Sequence, residues 1–140
     1  MASAAVMTAI EARLAANWTR TPIITANDTA NSPDDGSAYL VVEYPVANEN
    51  QISLGAPGSR LFREDGGVLL TLVVPAGAGV NTSPNTWATW FDALRAAFRG
   101  AQFNGVSTWA PQPPRIGDAN DQGAYFSMTT VIPYYFDLQG

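Results

Sequence analysis

Residues 68–75, Val-Leu-Leu-Thr-Leu-Val-Val-Pro, constrain the fold more than any other stretch of the chain. A strand turns successive side chains to opposite faces, so Val68, Leu70, Leu72 and Val74 make one apolar face while Leu69 and Val73 make the other. Thr71 is the one polar residue among them. Such a strand belongs in the middle of a sheet, with cover on both sides. It is far short of the roughly 20 apolar residues that span a bilayer, and the uncharged stretch around it, 66–91, otherwise holds Pro, Gly, Asn, Thr and Ser.

Two helices are available as cover. Ser3 is placed to cap a first helix running to about Ala16, with Val6, Ile10 and Leu14 on one face and Glu11 and Arg13 off it. Those charges, and the lack of a basic leader, make this segment an amphipathic helix and not a signal peptide. A Gly-rich connector, 76–82, precedes Ser83 and Pro84, an N-cap and first-turn signature for a second helix. Its stripe is Trp87, Trp90, Phe91, Leu94 and Phe98, with Arg95 and Arg99 near the C-terminal dipole and Gly100 as the stop.

The remaining segments read as strands and loops. Residues 17–36 form an irregular loop tethered by Trp18 and Ile23. A strand over 38–46 alternates Leu40, Val42 and Tyr44 against Tyr39, Val41 and Glu43 until Pro45 perturbs the ladder. Residues 47–65 are a long polar arm, read as an extended hairpin-like excursion, and Glu64-Asp65-Gly66-Gly67 is read as a turn. Asn104-Gly105 signals a tight turn into a strand at 106–110, then a Pro-rich link through Pro111, Pro113 and Pro114. A last strand over 124–137 sets Phe126, Met128, Thr130 and Ile132 together, with Pro133 at a sheet edge or a bulge. The expectation is one α+β domain over residues 1–140: a mainly antiparallel sheet of four main strands, both helices on one face, and the extended arm. The second apolar face of 68–74 then needs cover from elsewhere, and another copy of the chain is the simplest source.

Composition supports that inference and removes most chemistry. Hydrophobic residues are 46% of the 140 and charged residues 14%, too few charges to coat a lone monomer generously. All seven basic residues are scattered arginines against 12 Asp and Glu, for a net charge of −5, which argues against gripping nucleic acid while leaving it free to pass nearby. There is no His, Lys or Cys, so Ser-His-Asp and Cys-His triads, Schiff bases, disulfides and Cys/His metal sites are all excluded. The lack of cysteine fits an intracellular product.

The motifs that imitate chemistry dissolve on inspection. Gly77-Ala78-Gly79 between strand and helix would need a third glycine at Thr82, and a phosphate loop would need a lysine. Asp118-Ala119-Asn120-Asp121-Gln122-Gly123 resembles half a calcium loop, but Gln122 holds the fifth position and Thr129 the twelfth, where a bidentate Glu belongs; a solvated turn accounts for it. Asp34-Asp35 and Glu64-Asp65 are carboxylate pairs explained by turn chemistry. Tyr134, Tyr135 and Phe136 have the chemistry to stack on sugars or bases, yet packing the sheet or a subunit edge explains them better. Asn17, Asn27 and Asn81 sit in glycosylation-acceptor triplets, without meaning in a chain that reads as unexported. No catalytic, metal or cofactor constellation survives, so function is expected to reside in surface shape and assembly.

In order and spacing the segments resemble the tail terminator family of long, non-contractile-tailed phages. The similar residues are Ile10-Glu11-Ala12-Arg13-Leu14, Thr21-Pro22-Ile23, the strand from Tyr39 to Tyr44, Leu54-Gly55-Ala56-Pro57-Gly58-Ser59-Arg60 leading through Arg63 to Gly66-Gly67-Val68, and Val73-Val74-Pro75-Ala76-Gly77-Ala78-Gly79. Asp92-Ala93-Leu94-Arg95 with Phe98, Asn104-Gly105-Val106 and the closing aromatic strand complete it. The resemblance implies a non-enzymatic virion protein, assembled in the host cytoplasm and located at the head-proximal end of the tail. There it would form a homo-hexameric ring on the tail-tube protein, halt tube growth and meet a head-tail connector or stopper protein. Genomic DNA would pass through the lumen without specific binding, and six copies at −5 each give about −30, a charge that repels phosphate.

Candidate subunit or tail-tube contacts are Asn50, Gln51, Ser53, Arg60, Phe62, Arg63 and Glu64 on the arm, with Trp109 and Arg115 by the Pro-rich link. The alternatives are another ring-forming virion protein, a tail-tube or head-tail stopper subunit, and a small carboxylate-dependent hydrolase. The hydrolase would need Asp118 and Asp121, or Glu64 and Asp65, to converge in one pocket.

Overall fold

The structure, a computed structural model, describes residues 2–25, 37–75, 87–116 and 125–140. The elements in chain order are α1 (Ala4–Asn17), β1 (Ile23–Ile24), β2 (Tyr39–Gln51), β3 (Leu61–Pro75), α2 (Trp87–Phe98), β4 (Gln102–Phe103), β5 (Val106–Thr108) and β6 (Tyr125–Gln139). The class is α+β, as expected, but the sheet has six strands in the order β1-β2-β3-β6-β5-β4, not four, and it is mixed because β1 runs parallel to β2. The added strands are the two shortest. Ile23 and Ile24 pair with Leu40 and Val41, and Gln102 and Phe103 fold back on Val106 and Ser107 across the Asn104-Gly105 turn. Asn104 and Gly105 adopt φ of 48° and 85°, the left-handed pair that a two-residue hairpin requires.

β3 is the centre of the sheet, with β2 on one side and β6 on the other along almost its whole length. Val68, Leu70, Leu72 and Val74 are at most 1% exposed and meet Val6, Ile10 and Leu14 of α1 and Phe91, Leu94 and Phe98 of α2 in one core. Each such side chain contributes about 1.5–3 kcal/mol by leaving water. Leu40, Val42, Tyr44, Met128, Ile132 and Tyr134 extend the same face, so both helices lie on one side of the sheet. The opposite face is different: Tyr39, Val41, Leu69, Val73 and Val131 are half-buried.

The helices are tied by polar contacts as well. The Arg13 guanidinium donates to the Ala97 carbonyl at 2.8 Å and lies 4.9 Å from the Phe103 ring, joining α1 to α2 and β4. Ser3 occupies the N-cap of α1, but its hydroxyl makes no capping bond. Trp18 and Ile23 anchor the following loop on the core, and the Trp18 indole donates to the Thr21 hydroxyl at 2.8 Å.

Two expectations are corrected. Glu64-Asp65-Gly66-Gly67 is not a turn but the middle of β3, which continues outward to Leu61. Pro45 does break the ladder, as a register shift between Glu43 and Val46, and the glycines stand opposite that bulge. A Cβ on Gly66 would lie 2.9 Å from the Ala47 Cα and closer still to the Val46 carbonyl, so the bulge admits only glycine there. Pro133 marks neither edge nor bulge. It keeps register with Gly67, and its carbonyl accepts from the Trp109 N–H at 2.9 Å, so its missing donor faces the link after β5 and costs the β3 ladder nothing.

The connector 76–82 with its glycines, Ser83 and Pro84, Asp34-Asp35, Asn27, Asn81 and the segment from Asp118 to Gly123 lie outside the described residues.

Candidate interaction site

The expected arm is a ribbon of β2, β3 and β6, flanked at 134–136 by β5. Beyond the bulge, residues 46–51 of β2, 61–67 of β3 and 133–139 of β6 continue as an antiparallel ladder with little apolar cover. Backbone bonds hold it where apolar burial does not. Its tip, residues 52–60, is closed by Ile52 N–H to the Leu61 carbonyl at 2.8 Å and Leu61 N–H to the Ser53 hydroxyl at 2.8 Å. The Gln51 amide donates to the Ser53 carbonyl at 2.8 Å, and Arg60 donates through Nε to the Gly55 carbonyl at 2.9 Å. The Arg60 and Gly140 main chains exchange two hydrogen bonds, so the end of the chain braces the base of the tip. Leu54 is 94% exposed at the apex.

The ribbon has two faces of opposite character. On the helix side the Glu64 carboxylate is buried, accepting from the Tyr134 hydroxyl at 2.7 Å and the Ser3 main-chain N–H at 3.1 Å. Glu64 thus supplies from the sheet the acceptor that Ser3 lacks at the start of α1. Burial and this bond raise the Tyr134 hydroxyl above the ordinary tyrosine range. The neighbouring Tyr44 hydroxyl is raised by burial and by Glu11, and it is the buried side-chain polar atom without a hydrogen-bond partner among the described residues.

On the open side, Asn50, Ile52, Arg63, Asp65, Trp109 and Tyr135 line a hollow of about 310 Å³. Arg63 is held bidentate by Asp137 at 2.7 and 2.9 Å, and its guanidinium lies 4.5 Å from the Tyr135 ring centroid. That bond keeps the Asp137 carboxyl below its usual value. Trp109 packs at 5.2 Å on Tyr135 yet remains 57% exposed.

The Pro-rich link carries Trp109 to this place. It runs along the edge of β6, with Gln112 N–H bonded to the Val131 carbonyl and Arg115 paired with Thr129 through both main-chain bonds. Arg95, expected only to sit at a helix dipole, clamps this link: its guanidinium donates to the Gln112 carbonyl at 2.8 Å, the Pro111 carbonyl at 3.2 Å and Asp92 at 2.9 Å.

Of the residues singled out in the sequence, Asn50, Arg63 and Trp109 come together in the hollow. Gln51, Ser53, Arg60 and Phe62 lie at or beside the tip, Glu64 faces inward, and Arg115 stands further down β6. Asp65, read as one of a turn's carboxylate pair, and Tyr135, read as packing the sheet or a subunit edge, join Asn50, Arg63 and Trp109 in the hollow with Ile52, and Asp137 pairs with Arg63 beside them; none of the four is among the expected contacts. Their signal was the alternation Tyr135–Asp137, which sets both beside Asp65 and Arg63 on one face once the register is known. Among the described residues there is no group of three or more acidic residues placed to hold a metal ion.

The open face of the ribbon thus presents exposed aromatic and charged groups around the hollow. The family model for phage tail terminator proteins matches residues 5–134, and the chain belongs to that family. It is accordingly a structural component of a bacteriophage tail that works in contact with other tail or head-tail proteins. A solved structure of 21% sequence identity aligns over 100% of this chain and 99% of its own length with a TM-score of 0.58, a likeness of fold. No curated protein matches the chain.

Proposed function

We propose that the protein terminates the tail as a homo-hexameric ring, seated on the last ring of tail-tube protein at the head-proximal end. There it stops tube growth and presents the surface for a head-tail connector or stopper protein. Family membership over residues 5–134 carries this reading. The structure supports it with a sheet face, opposite the helices, whose apolar side chains stay half-buried, and with a ribbon whose tip exposes Ile52, Leu54 and Leu61. The net charge of −5 per copy suits a lumen through which DNA slides without being gripped. Asn50, Gln51, Ser53, Arg60, Phe62, Arg63, Trp109 and Arg115 supply contacts to neighbouring copies or to the tube, while Glu64 acts from inside by fixing α1 to the ribbon.

Native mass spectrometry tests the ring. From a 14.9 kDa chain, the expected species are the monomer and a six-fold assembly near about 89 kDa, the latter favoured by concentration. A tail-tube subunit would instead stack into open-ended polymers, and a stable dimer alone would count against the reading. Gold labelling of assembled virions should mark the junction of tube and capsid.

A further inference from the structure

The ion pairs among the described residues are Arg63 with Asp137 and Arg95 with Asp92. Asp65, on the wall of the open hollow, belongs to neither, although it lies in the field of Arg63. Beside it Trp109 and Ile52 are 57% and 46% exposed. An unpaired carboxylate next to an open indole face is suited to a guanidinium, which bonds the one and lies over the other. Arg63 is already spent on Asp137 and Tyr135.

The chain has no lysine or histidine, so its side-chain cations are its seven arginines. Arg13 is bonded to Ala97, Arg20 lies 4.1 Å over Trp90, Arg60 is bonded to Gly55, and Arg63 and Arg95 are paired. Arg99 and Arg115 have no side-chain partner among the described residues. Arg115 differs from Arg99 in its neighbour, since Ile116 is 53% exposed while Gly100 follows Arg99. A cation beside an exposed aliphatic group matches a hollow that offers a carboxylate beside exposed apolar groups. Arg115 does not reach its own hollow: it pairs with Thr129, six residues from Tyr135 along β6, or about 20 Å.

We infer that the hollow of Asp65, Trp109 and Ile52 takes up Arg115 of a second copy of this chain, with Ile116 laid against Ile52 and Trp109. The inference rests on the ring reading and names its contact. Within the ring reading, each copy gives its cation to one neighbour and receives one from the other. That is a heterologous contact, which closes into a ring when the rotation per copy permits.

Charge exchange tests it. Wild type, Asp65→Arg, Arg115→Asp and the double variant are compared by sedimentation velocity over a concentration series, with circular dichroism as the check on folding. Each single reversal should reduce the assembled fraction at least about tenfold, and the double variant should recover it. Single variants that assemble like wild type, or a double variant that stays dissociated, overturn the pairing and leave the ring reading standing. A wild-type chain that never assembles removes both. Recovery of Asp65→Arg by Arg99→Asp instead reassigns the cation and overturns the choice of Arg115. Intact self-assembly with loss of binding to purified tail-tube protein in Asp65→Arg overturns the second copy as occupant. Should a reversal fail to fold, Asp65→Asn and Arg115→Gln keep the shape and remove the charge, and the same drop in assembly is expected.

Discussion

β3 is one strand with two different physical lives. Its inner half, 68–75, is held by burial: alternate side chains vanish beneath two helices, and little else is needed. Its outer half, 61–67, has no helix above most of it and is held by individual fittings. These are the Glu64 carboxylate between Tyr134 and Ser3, Arg63 locked to Asp137, and Gly66 against the bulge at Pro45. Burial is tolerant of shape, whereas fittings of this kind fail one residue at a time. The outer half is thus stiff and specific while keeping its polar and aromatic side chains available to partners.

Substitutions can set the halves against each other. The largest effect is expected from Leu72→Ala, which opens a cavity at a fully buried position and should cost about 2–5 kcal/mol, read as a fall in the denaturation midpoint with all protected amides exchanging faster. Gly66→Ala comes next. Its methyl must push the Val46 and Ala47 backbone aside at roughly 1–3 kcal/mol, and hydrogen exchange should accelerate in 46–51 and 61–67 while the core amides keep most of their protection. Equal exchange across both regions would mean that the ribbon and the body unfold as one.

A smaller effect concerns pH. Tyr134 titrates higher in the folded protein than its ordinary value of 10.0, so its contribution is intact below about pH 10 and is lost as the pH rises from there toward its raised folded value. Tyr134→Phe should lower stability at neutral pH, by leaving the buried Glu64 carboxylate with the Ser3 N–H alone, yet flatten the alkaline decline in urea midpoints between pH 9 and 11. The smallest change in stability belongs to Arg63→Ala. Its partner Asp137 has a depressed carboxyl value, so what the pair contributes is present above the ordinary carboxylate value of 3.8 and fades as the pH falls through the lower folded one. Both side chains are exposed, and the melting temperature should scarcely move at neutral pH. Under the proposed ring reading, assembly by contrast should weaken, because Tyr135 and the hollow lose their brace.

The body was largely legible in the sequence. The stripes Val6, Ile10, Leu14 and Phe91, Leu94, Phe98, and the alternation in β3, are periodic patterns that burial imposes directly. β1 and β4 were not legible, because two-residue strands carry no period and exist only by pairing with a neighbour. The ribbon was half legible. Its polar residues promised an excursion, but Gly66-Gly67 resembles a turn until the bulge opposite explains it, and the pairing of Arg63 with Asp137 across 74 residues depends on register alone. The hollow was legible in Asn50, Arg63 and Trp109 and hidden in Asp65 and Tyr135, whose faces follow from the same register.

β3 runs without interruption through 15 residues, about 50 Å of continuous ladder from the tip loop to the floor beneath the helices. A strand paired on both sides resists bending because the hydrogen bonds that run across it tie its backbone to both neighbours. If the tip loop of residues 52–60 docks as proposed, that contact and the floor beneath the helices share one strand.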